Sequence, residues 1–194
     1  MKKFRYIFLL ALPLLLTNCD TNDDGFYNSV FADLPNLVSI EAHATTYTIG
    51  EKLRIIADFS RLQDEDGQLL DIYTTTGGAP EFTFSYVVEK QINTDTWEAV
   101  TVLDSQLDVI EGAAQNGSYV YGHCIYDGTS ESYQYNVGFP LQAVGNYRLS
   151  FGYNSSSTNS VELRSESAPG KLVLNINSTI TNVNGSGYYN FTVN

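Results

Sequence analysis

Residue types that support familiar chemistry are scarce in this chain of 194 residues. It contains two cysteines, two histidines, one methionine and one tryptophan. Two cysteines allow at most one internal disulfide, so the fold depends on a hydrophobic core rather than on cross-links. The sequence also has no Gly-x-Ser-x-Gly elbow, no phosphate-binding glycine loop and no histidine-rich metal motif. These absences remove familiar signatures of hydrolases, nucleotide-binding proteins and zinc proteins.

Basic residues are also few in this sequence. Ten lysines and arginines stand against 22 aspartates and glutamates, which gives a formal net charge of −12. A surface this acidic repels phosphate backbones and anionic head groups. The charge therefore argues against nucleic acid as a partner, and we interpret it as a solubility feature of an exposed protein.

A catalytic nucleophile needs a histidine base close to it, and the sequence offers one adjacent pair. His123 and Cys124 are neighbours in a strand-like segment, where successive side chains point to opposite faces of a sheet. This spacing argues against a Cys–His couple and predicts that Cys124 is a buried, unreactive thiol. Carboxylates such as Asp58, Glu89 and Glu98 lie in other strand-like segments, but nothing in the sequence pairs them. We therefore expect a protein that is not an enzyme.

The longest apolar run stands near the N-terminus. A basic start at residues 1–6 is followed by the apolar residues Ile7–Leu16 and by a polar exit at 17–19. This order is typical of a secretory signal peptide. The apolar run is too short to span a bilayer as a permanent helix.

Residues 16–19, Leu-Thr-Asn-Cys, resemble the lipobox of bacterial lipoproteins, with Asn18 where that family usually has Gly, Ala or Ser. The resemblance implies a signal peptide over residues 1–18, cleavage before Cys19 and acylation of Cys19. Two or three acyl chains on Cys19 suffice for stable membrane anchoring, because each buried CH₂ contributes about 0.8 kcal/mol. Cys19 is therefore the predicted lipidation site, and a membrane is the predicted partner of the N-terminus.

Residues 19–36 are predicted to form the lipidated cysteine and a flexible acidic tether. The acidic cluster at 20–25 resembles the surface-export signal of lipoproteins from the Bacteroidetes group. That resemblance implies a protein on the outside of the outer membrane.

Aromatic residues are abundant, with 14 tyrosines and 10 phenylalanines, and long helical periodicity is absent after the leader. Short alternating segments recur about every 8–12 residues with turn signals between them, which is typical of a β-sandwich. We predict an all-β fold, an antiparallel β-sandwich, over residues 37–194. The predicted strands lie at 37–43, 53–59, 82–90, 97–103, 118–126, 132–139, 145–153, 171–176 and 188–193.

Three turn segments predict hairpins between these strands. Residues 93–96 precede the strand that begins at Trp97, and Asp127-Gly128 and Asn184-Gly185 tolerate the positive φ angles of tight turns. We therefore expect the strands on either side of each turn to pair.

Two short motifs resemble those of immunoglobulin-like and fibronectin type III-like domains of bacterial surface proteins. Phe84-x-Tyr86 is followed by the hairpin to Trp97, and Gly145-x-Tyr147 resembles the tyrosine corner, whose hydroxyl bonds back to the preceding connection. The predicted domain exceeds the roughly 100 residues of a simple immunoglobulin domain. The resemblance therefore implies an elaborated immunoglobulin-like sandwich or a jelly-roll-like variant.

The aromatic strands supply the candidate ligand-binding residues. Tyr119 and Tyr121 share one face of a predicted strand, Tyr133 and Tyr135 share one face of the next, and Trp97 begins another. If those faces are exposed, the rings form a platform for sugar rings or for a surface protein. If the faces point inward, the same rings belong to the core.

The longest loop candidate, residues 61–80, contains a candidate metal site. Asp64 and Asp66 place carboxylates at alternate positions before Gly67, as in the start of a Ca²⁺-binding loop. The position of the last ligand holds Thr75 instead of glutamate. The segment therefore predicts either a polar turn or a Ca²⁺ site completed by other oxygens, and we expect no other cofactor.

Together these features predict an outer-membrane-anchored, surface-exposed lipoprotein that acts as a non-catalytic binding module for glycans. The alternative is a protein-interaction or adhesion module, or a structural accessory subunit of a cell-envelope or nutrient-uptake complex. Fold class alone does not decide between these, because sandwiches carry many functions.

Overall fold

The computed structural model describes residues 28–151, 159–166 and 172–194. The signal peptide, Cys19 and the acidic cluster at 20–25 lie outside the described residues. The described ranges are mostly strand, with one short α-helix, α1 (Ile72–Thr75), which confirms the predicted all-β class. None of the described helices is long and apolar enough to cross a membrane.

The strands are β1 (Ser29–Asp33), β2 (Val38–Ile40), β3 (Thr46–Tyr47), β4 (Lys52–Ser60), β5 (Leu62–Glu65), β6 (Gln68–Asp71), β7 (Glu81–Asn93), β8 (Thr96–Ala99), β9 (Asp108–Glu111), β10 (Ala113–Asn116), β11 (Val120–Asp127), β12 (Ser132–Pro140), β13 (Gly145–Ser150), β14 (Ser160–Ser165), β15 (Val173–Thr179) and β16 (Tyr188–Val193).

Fourteen of these strands form two sheets that share the long strand β7. Sheet A runs in the order β1-β15-β14-β7-β11-β12-β4-β2, with β10 paired to β11 and β9 paired to β12. Sheet B runs in the order β8-β7-β13-β16-β3. Residues 81–86 of β7 pair with β11 in sheet A, and residues 87–93 pair with β13 and β8 in sheet B. β7 therefore joins the two sheets through one continuous backbone.

The strand pairings are mostly antiparallel, as predicted, and two of them are parallel. β1 pairs with β15 in parallel, and β3 pairs with β16 in parallel. Each pair joins an N-terminal strand to a C-terminal strand. Parallel pairing needs a long connection between the two strands, and here almost the whole chain supplies it. The architecture is therefore a mixed, sandwich-like all-β fold.

Strand β1 lies inside the range that the sequence assigned to a flexible tether. Ser29–Asp33 pairs with β15 along its length, and Leu34 donates its backbone N–H to Asn177. Only Ala32 of this strand is buried, so the segment lacks the alternation that signals a strand. The ordered sheet therefore begins before residue 37.

The inner faces of both sheets contribute to one hydrophobic core. The predicted inward face of β4, which includes Leu53 and Ile55, is buried. Aromatic rings fill the centre, where Phe84 packs edge to face on Tyr135 with ring centroids 4.9 Å apart. Burying one large apolar side chain contributes about 1.5–3 kcal/mol, so this core stabilises the domain without disulfides.

The long polar segment at 61–80 contains the β5–β6 hairpin and α1. Asp66 and Gly67 occupy the turn with φ angles of 52° and 82°. Asp64 Oδ1 accepts a hydrogen bond from the Gly67 N–H at 2.8 Å. Asp64 thus closes the turn, which is the role expected of a polar turn.

Two of the three predicted hairpins form, and the third does not. β7 pairs with β8, and β11 pairs with β12 across Asp127 and Gly128. Asn184 makes a turn with Gly187 and Tyr188, but β15 belongs to sheet A and β16 to sheet B. The Asn184-Gly185 turn therefore carries the chain from one sheet to the other. The predicted tyrosine-corner contact is present, because the Tyr147 hydroxyl donates to the Ala143 carbonyl at 2.7 Å.

Candidate functional site

A shallow groove of about 370 Å³ lies on the outer face of sheet A. Three strands meet there, because Thr83 of β7 is opposite both Arg164 of β14 and His123 of β11. The pairing between β14 and β7 is short, so the two strands diverge beside the groove. We define the outer groove by its lining side chains. They are Glu81, Thr83, Tyr121, His123, Arg164, Ser165, Glu166 and Val173.

Strand alternation explains which side chains reach the groove. Phe82 and Phe84 of β7 are buried in the core, so Glu81 and Thr83, which alternate with them, face outward. On β11 the buried neighbours are Val120 and Cys124, which leaves Tyr121 and His123 on the outer face.

A histidine–carboxylate pair occupies the floor of the outer groove. His123 Nδ1 lies 2.9 Å from Glu81 Oε1, and the two side chains are 17% and 20% exposed. His123 Nε2 is buried and has no hydrogen-bond partner among the described residues. Because no described serine, threonine or cysteine hydrogen-bonds to Nε2, the pair lacks the nucleophile of a catalytic triad. Its evident role is to hold the imidazole in a fixed orientation.

Tyr121 stands directly beside this pair. Its ring meets the His123 ring edge to face, with centroids 4.9 Å apart and an angle of 86° between the planes. Tyr121 is half-buried, and Arg164 on the opposite side of the groove is exposed. The groove therefore combines two fixed rings with hydroxyl, guanidinium and carboxylate groups, an arrangement suited to a ligand with both apolar faces and hydroxyl groups. The predicted site residue Tyr119 is half-buried just before β11 begins.

Two glycines set the position of β11 beneath the groove. A Cβ atom on Gly112 would lie 2.5 Å from the His123 carbonyl oxygen and 2.8 Å from that of Gln134. Gly112 also has a φ angle of 73°, which favours glycine. A Cβ atom on Gly122 would lie 2.8 Å from the Phe84 ring. Both close approaches require the absence of a side chain, so the backbone of β11 is fixed from two sides.

Cys124 points away from the groove, as the alternation predicted. It is fully buried in the core, and burial raises the pKa of its thiol well above the ordinary value. The negative charge of Glu81 raises this pKa further. The thiol is therefore held in its protonated, weakly nucleophilic form.

The prediction that Tyr133 and Tyr135 belong to a ligand platform is wrong. Both side chains are 0% exposed, because β12 turns this face into the core. The Tyr133 hydroxyl donates to the Ala79 carbonyl at 2.9 Å, and the Tyr135 hydroxyl lies 3.0 Å from that of Tyr86. Burial raises the pKa of all three phenols above its ordinary value. These rings are structural.

Trp97, the other predicted ligand-binding aromatic, lies on sheet B and not in the outer groove. The Arg148 guanidinium stands over the Trp97 ring at 4.5 Å and over the Tyr188 ring at 4.1 Å. Arg148 Nε also lies 2.6 Å from Glu89 Oε2. We define these four side chains as the sheet B stack.

Of the predicted metal-binding carboxylates, Asp64 lies in β5 and Asp66 lies in the β5–β6 turn, and both are outside the outer groove. Across residues 28–151, 159–166 and 172–194, no group of three histidine, cysteine or carboxylate side chains is arranged to hold a metal ion. Asp71 is engaged differently, because it pairs with Arg61 and accepts the Thr74 N–H at the start of α1. Hydrogen bonding from Arg61 lowers the pKa of Asp71 below its usual range.

Sequence reasoning identified Tyr121 but missed Glu81, Thr83 and Arg164 as groove residues. The sequence of β7 did carry a signal, because the polar residues Glu81 and Thr83 alternate with Phe82 and Phe84. Arg164 was missed because its strand, β14, was not predicted.

Comparisons with known proteins add little to this geometry. No protein-family model matches the chain, and no curated protein matches it. Among solved structures, the chain is similar to the crystal structure of the human F-spondin reeler domain, at 10% sequence identity and a TM-score of 0.37. The likeness covers 87% of this chain and 96% of the reeler chain. A TM-score this low carries no argument about function.

Proposed function

We propose that this protein is a lipoprotein anchored through Cys19 in the outer membrane and exposed at the cell surface. We further propose that its β-sandwich domain binds glycans without catalysing a reaction. The lipobox-like residues 16–19 support the anchoring, and the acidic cluster at 20–25 supports the exposure at the cell surface. One observation carries the binding, namely the open outer groove with Tyr121 and His123 as its fixed rings.

The chemistry of the outer groove suits a sugar. A pyranose ring has apolar C–H faces, which pack on aromatic rings, and a rim of hydroxyl groups, which need hydrogen-bond partners. Tyr121 and His123 offer ring surface, and Thr83, Arg164 and Glu166 offer polar groups around it. The groove is shallow and open, and this shape suits contact with part of a longer glycan chain better than the enclosure of a small molecule.

The non-catalytic part of the proposal is supported by the His123–Glu81 pair. Nδ1 of His123 is engaged by Glu81, and Nε2 is buried. Neither nitrogen is placed to exchange a proton with a ligand in the groove, and Glu81 is already engaged. We therefore expect no release of reducing sugar ends when a bound glycan is incubated with the protein.

The anchoring is tested with the full chain expressed in a bacterial host with its leader intact. The unchanged protein should incorporate labelled palmitate and partition into detergent, whereas Cys19→Ala should do neither. If Cys19→Ala still incorporates the label, the lipidation site is elsewhere and this half of the proposal fails.

The binding is tested by applying the full chain, purified in mild detergent, to a glycan array with and without Ca²⁺. Tyr121→Ala should abolish the signal, and Trp97→Ala is the matched control, because it removes an aromatic side chain from the opposite sheet. Circular dichroism checks that both variants fold. A signal lost with Trp97→Ala and kept with Tyr121→Ala would move the site to sheet B. An array with no signal would overturn glycan binding and favour a protein partner, sought by cross-linking on intact cells.

A further inference from the structure

The outer groove is part of a longer row of side chains that crosses sheet A. The strand registers place Phe31 of β1 opposite Asn175 of β15, and Asn175 opposite Arg164 of β14. Arg164 is opposite Thr83, and Thr83 is opposite His123. These five residues therefore share one face and follow one line across five neighbouring strands.

The far end of this row carries an exposed aromatic side chain. Phe31 is 76% exposed, although its neighbour Ala32 in the same strand is buried in the core. Asn175 beside it is only 5% exposed, so it forms a floor between Phe31 and Arg164. An exposed phenylalanine contributes nothing to the core, and in this position it extends the surface of the groove.

The length of the row sets the size of a matching ligand. Four strand spacings separate Phe31 from His123, which corresponds to roughly 19 Å. That span exceeds the length of a disaccharide. The two ends offer aromatic rings and the middle offers Arg164 and Thr83, so a chain of sugars would find a ring to pack on at each end and polar partners between.

The twist of the sheet restricts the physical form of the ligand. Neighbouring strands are rotated by about 20–25° relative to one another. Over the four steps from β1 to β11, the direction in which the side chains of the row face therefore turns by roughly 80–100°. A flat crystalline surface would touch only part of such a row. A single soluble chain can bend to follow it.

We infer that the row from Phe31 to His123 is one extended binding site for a linear, single-chain oligosaccharide longer than a disaccharide. The inference rests on the proposed glycan binding and adds the length and form of the ligand. In this arrangement Tyr121 and His123 bind one part of every ligand, and Phe31 binds only ligands long enough to reach β1.

The test compares disaccharides with hexasaccharides of the cello, xylo, manno and galacturono series, titrated into the full chain in detergent by calorimetry. The hexasaccharide of the recognised series should bind about tenfold tighter or more than its disaccharide. Phe31→Ala should remove this gain without changing disaccharide affinity, and Tyr121→Ala should weaken both ligands. Leu69→Ala is the matched control, because Leu69 is 74% exposed but lies on the β5–β6 hairpin.

The outcomes separate this inference from the function on which it rests. Equal affinities for the disaccharide and the hexasaccharide, or a hexasaccharide affinity unchanged by Phe31→Ala, would overturn the extended site and leave glycan binding intact. Binding to microcrystalline cellulose without binding to soluble cello-oligosaccharides would also overturn it. Failure of every oligosaccharide to bind the unchanged protein would overturn both proposals.

Discussion

The outer faces of the two sheets carry similar side chains but use them differently. On sheet B, Arg148 is enclosed by the Trp97 and Tyr188 rings and paired with Glu89. On sheet A, the outer groove also brings together aromatic, basic and acidic groups, but its Arg164 and Glu166 side chains are exposed. The groups of the sheet B stack satisfy one another, whereas the groove leaves surface and polar groups for a ligand.

The same contrast divides the outer face of sheet A itself. At its other end, Asp108 of β9 bonds to Lys52 and Arg54 of β4, and Arg54 also donates to Asn136 Oδ1 at 2.9 Å. This cluster is a network of satisfied charges. The comparison teaches that aromatic and charged residues on a sheet surface do not mark a site by their presence. The outer groove differs because it has an open concave surface, which the contacts among its own side chains do not fill.

The largest expected effect on the free energy of unfolding comes from Gly112→Ala, which displaces β11 and so disrupts the outer groove. Gly112→Ala places a Cβ atom against two carbonyl oxygens at a residue with positive φ, so we expect a loss of about 3 kcal/mol or more in unfolding free energy. Urea unfolding measures it. Gly117→Ala is the control, because a Cβ atom there meets nothing within 4 Å, and its effect should be within about 0.5 kcal/mol. Equal effects of the two substitutions would contradict the close packing of Gly112.

A smaller effect tests whether the sheet B stack is structural. Arg148→Ala removes a charge-assisted hydrogen bond and two cation–π contacts from a partly exposed site, so we expect a loss of about 2 kcal/mol in unfolding free energy. Glycan affinity should not change. Arg148→Lys keeps the charge but loses the planar stacking, and it should recover only part of the loss. A fall in glycan affinity with Arg148→Ala would show that sheet B also binds ligand.

The smallest effect concerns the stability of the protein at acid pH and depends on Asp108, which pairs with Lys52 and Arg54 on sheet A. Hydrogen bonds from Lys52 and then Arg54 lower the pKa of Asp108 in the folded state. A lowered folded pKa stabilises the protein above the unfolded pKa of about 4, and this contribution is lost as pH falls through the folded pKa. Asp108→Asn should therefore flatten the decline of unfolding free energy below about pH 4. An acid profile identical to that of the unchanged protein would contradict this assignment.

Much of the fold could be predicted from alternation alone. The strands around Leu53 and Tyr147 and the turn at Asp127 follow local rules, because one face of each strand is apolar or a turn residue is present. Strand β1 and the two parallel pairings follow no local rule. They depend on which distant strand lies at the open edge, and the sequence near Ser29 does not encode that information.

The site could be predicted only in part for a related reason. Alternation sorts side chains between two faces, but burial of one face is a property of the assembled sheet. β12 did carry a signal, since Tyr133 and Tyr135 alternate with Gln134 and Asn136, which indicates that the tyrosines face inward. β11 carries the opposite signal, since Tyr121 alternates with small or apolar residues. The groove also needs Arg164 from a distant strand, which no local pattern supplies.

The pairing of N-terminal strands with C-terminal strands has a consequence for the time at which the two sheets can form. β1 needs β15, β3 needs β16, and the Leu37 N–H donates to Ser178 Oγ. Contacts between residues this far apart in sequence slow folding, because the loop between them must close first. Sheet A cannot be completed before β15, which ends at Thr179, has been synthesised, and sheet B cannot be completed before β16, which ends at Val193. Both sheets therefore stay open while the strands between these partners are being synthesised.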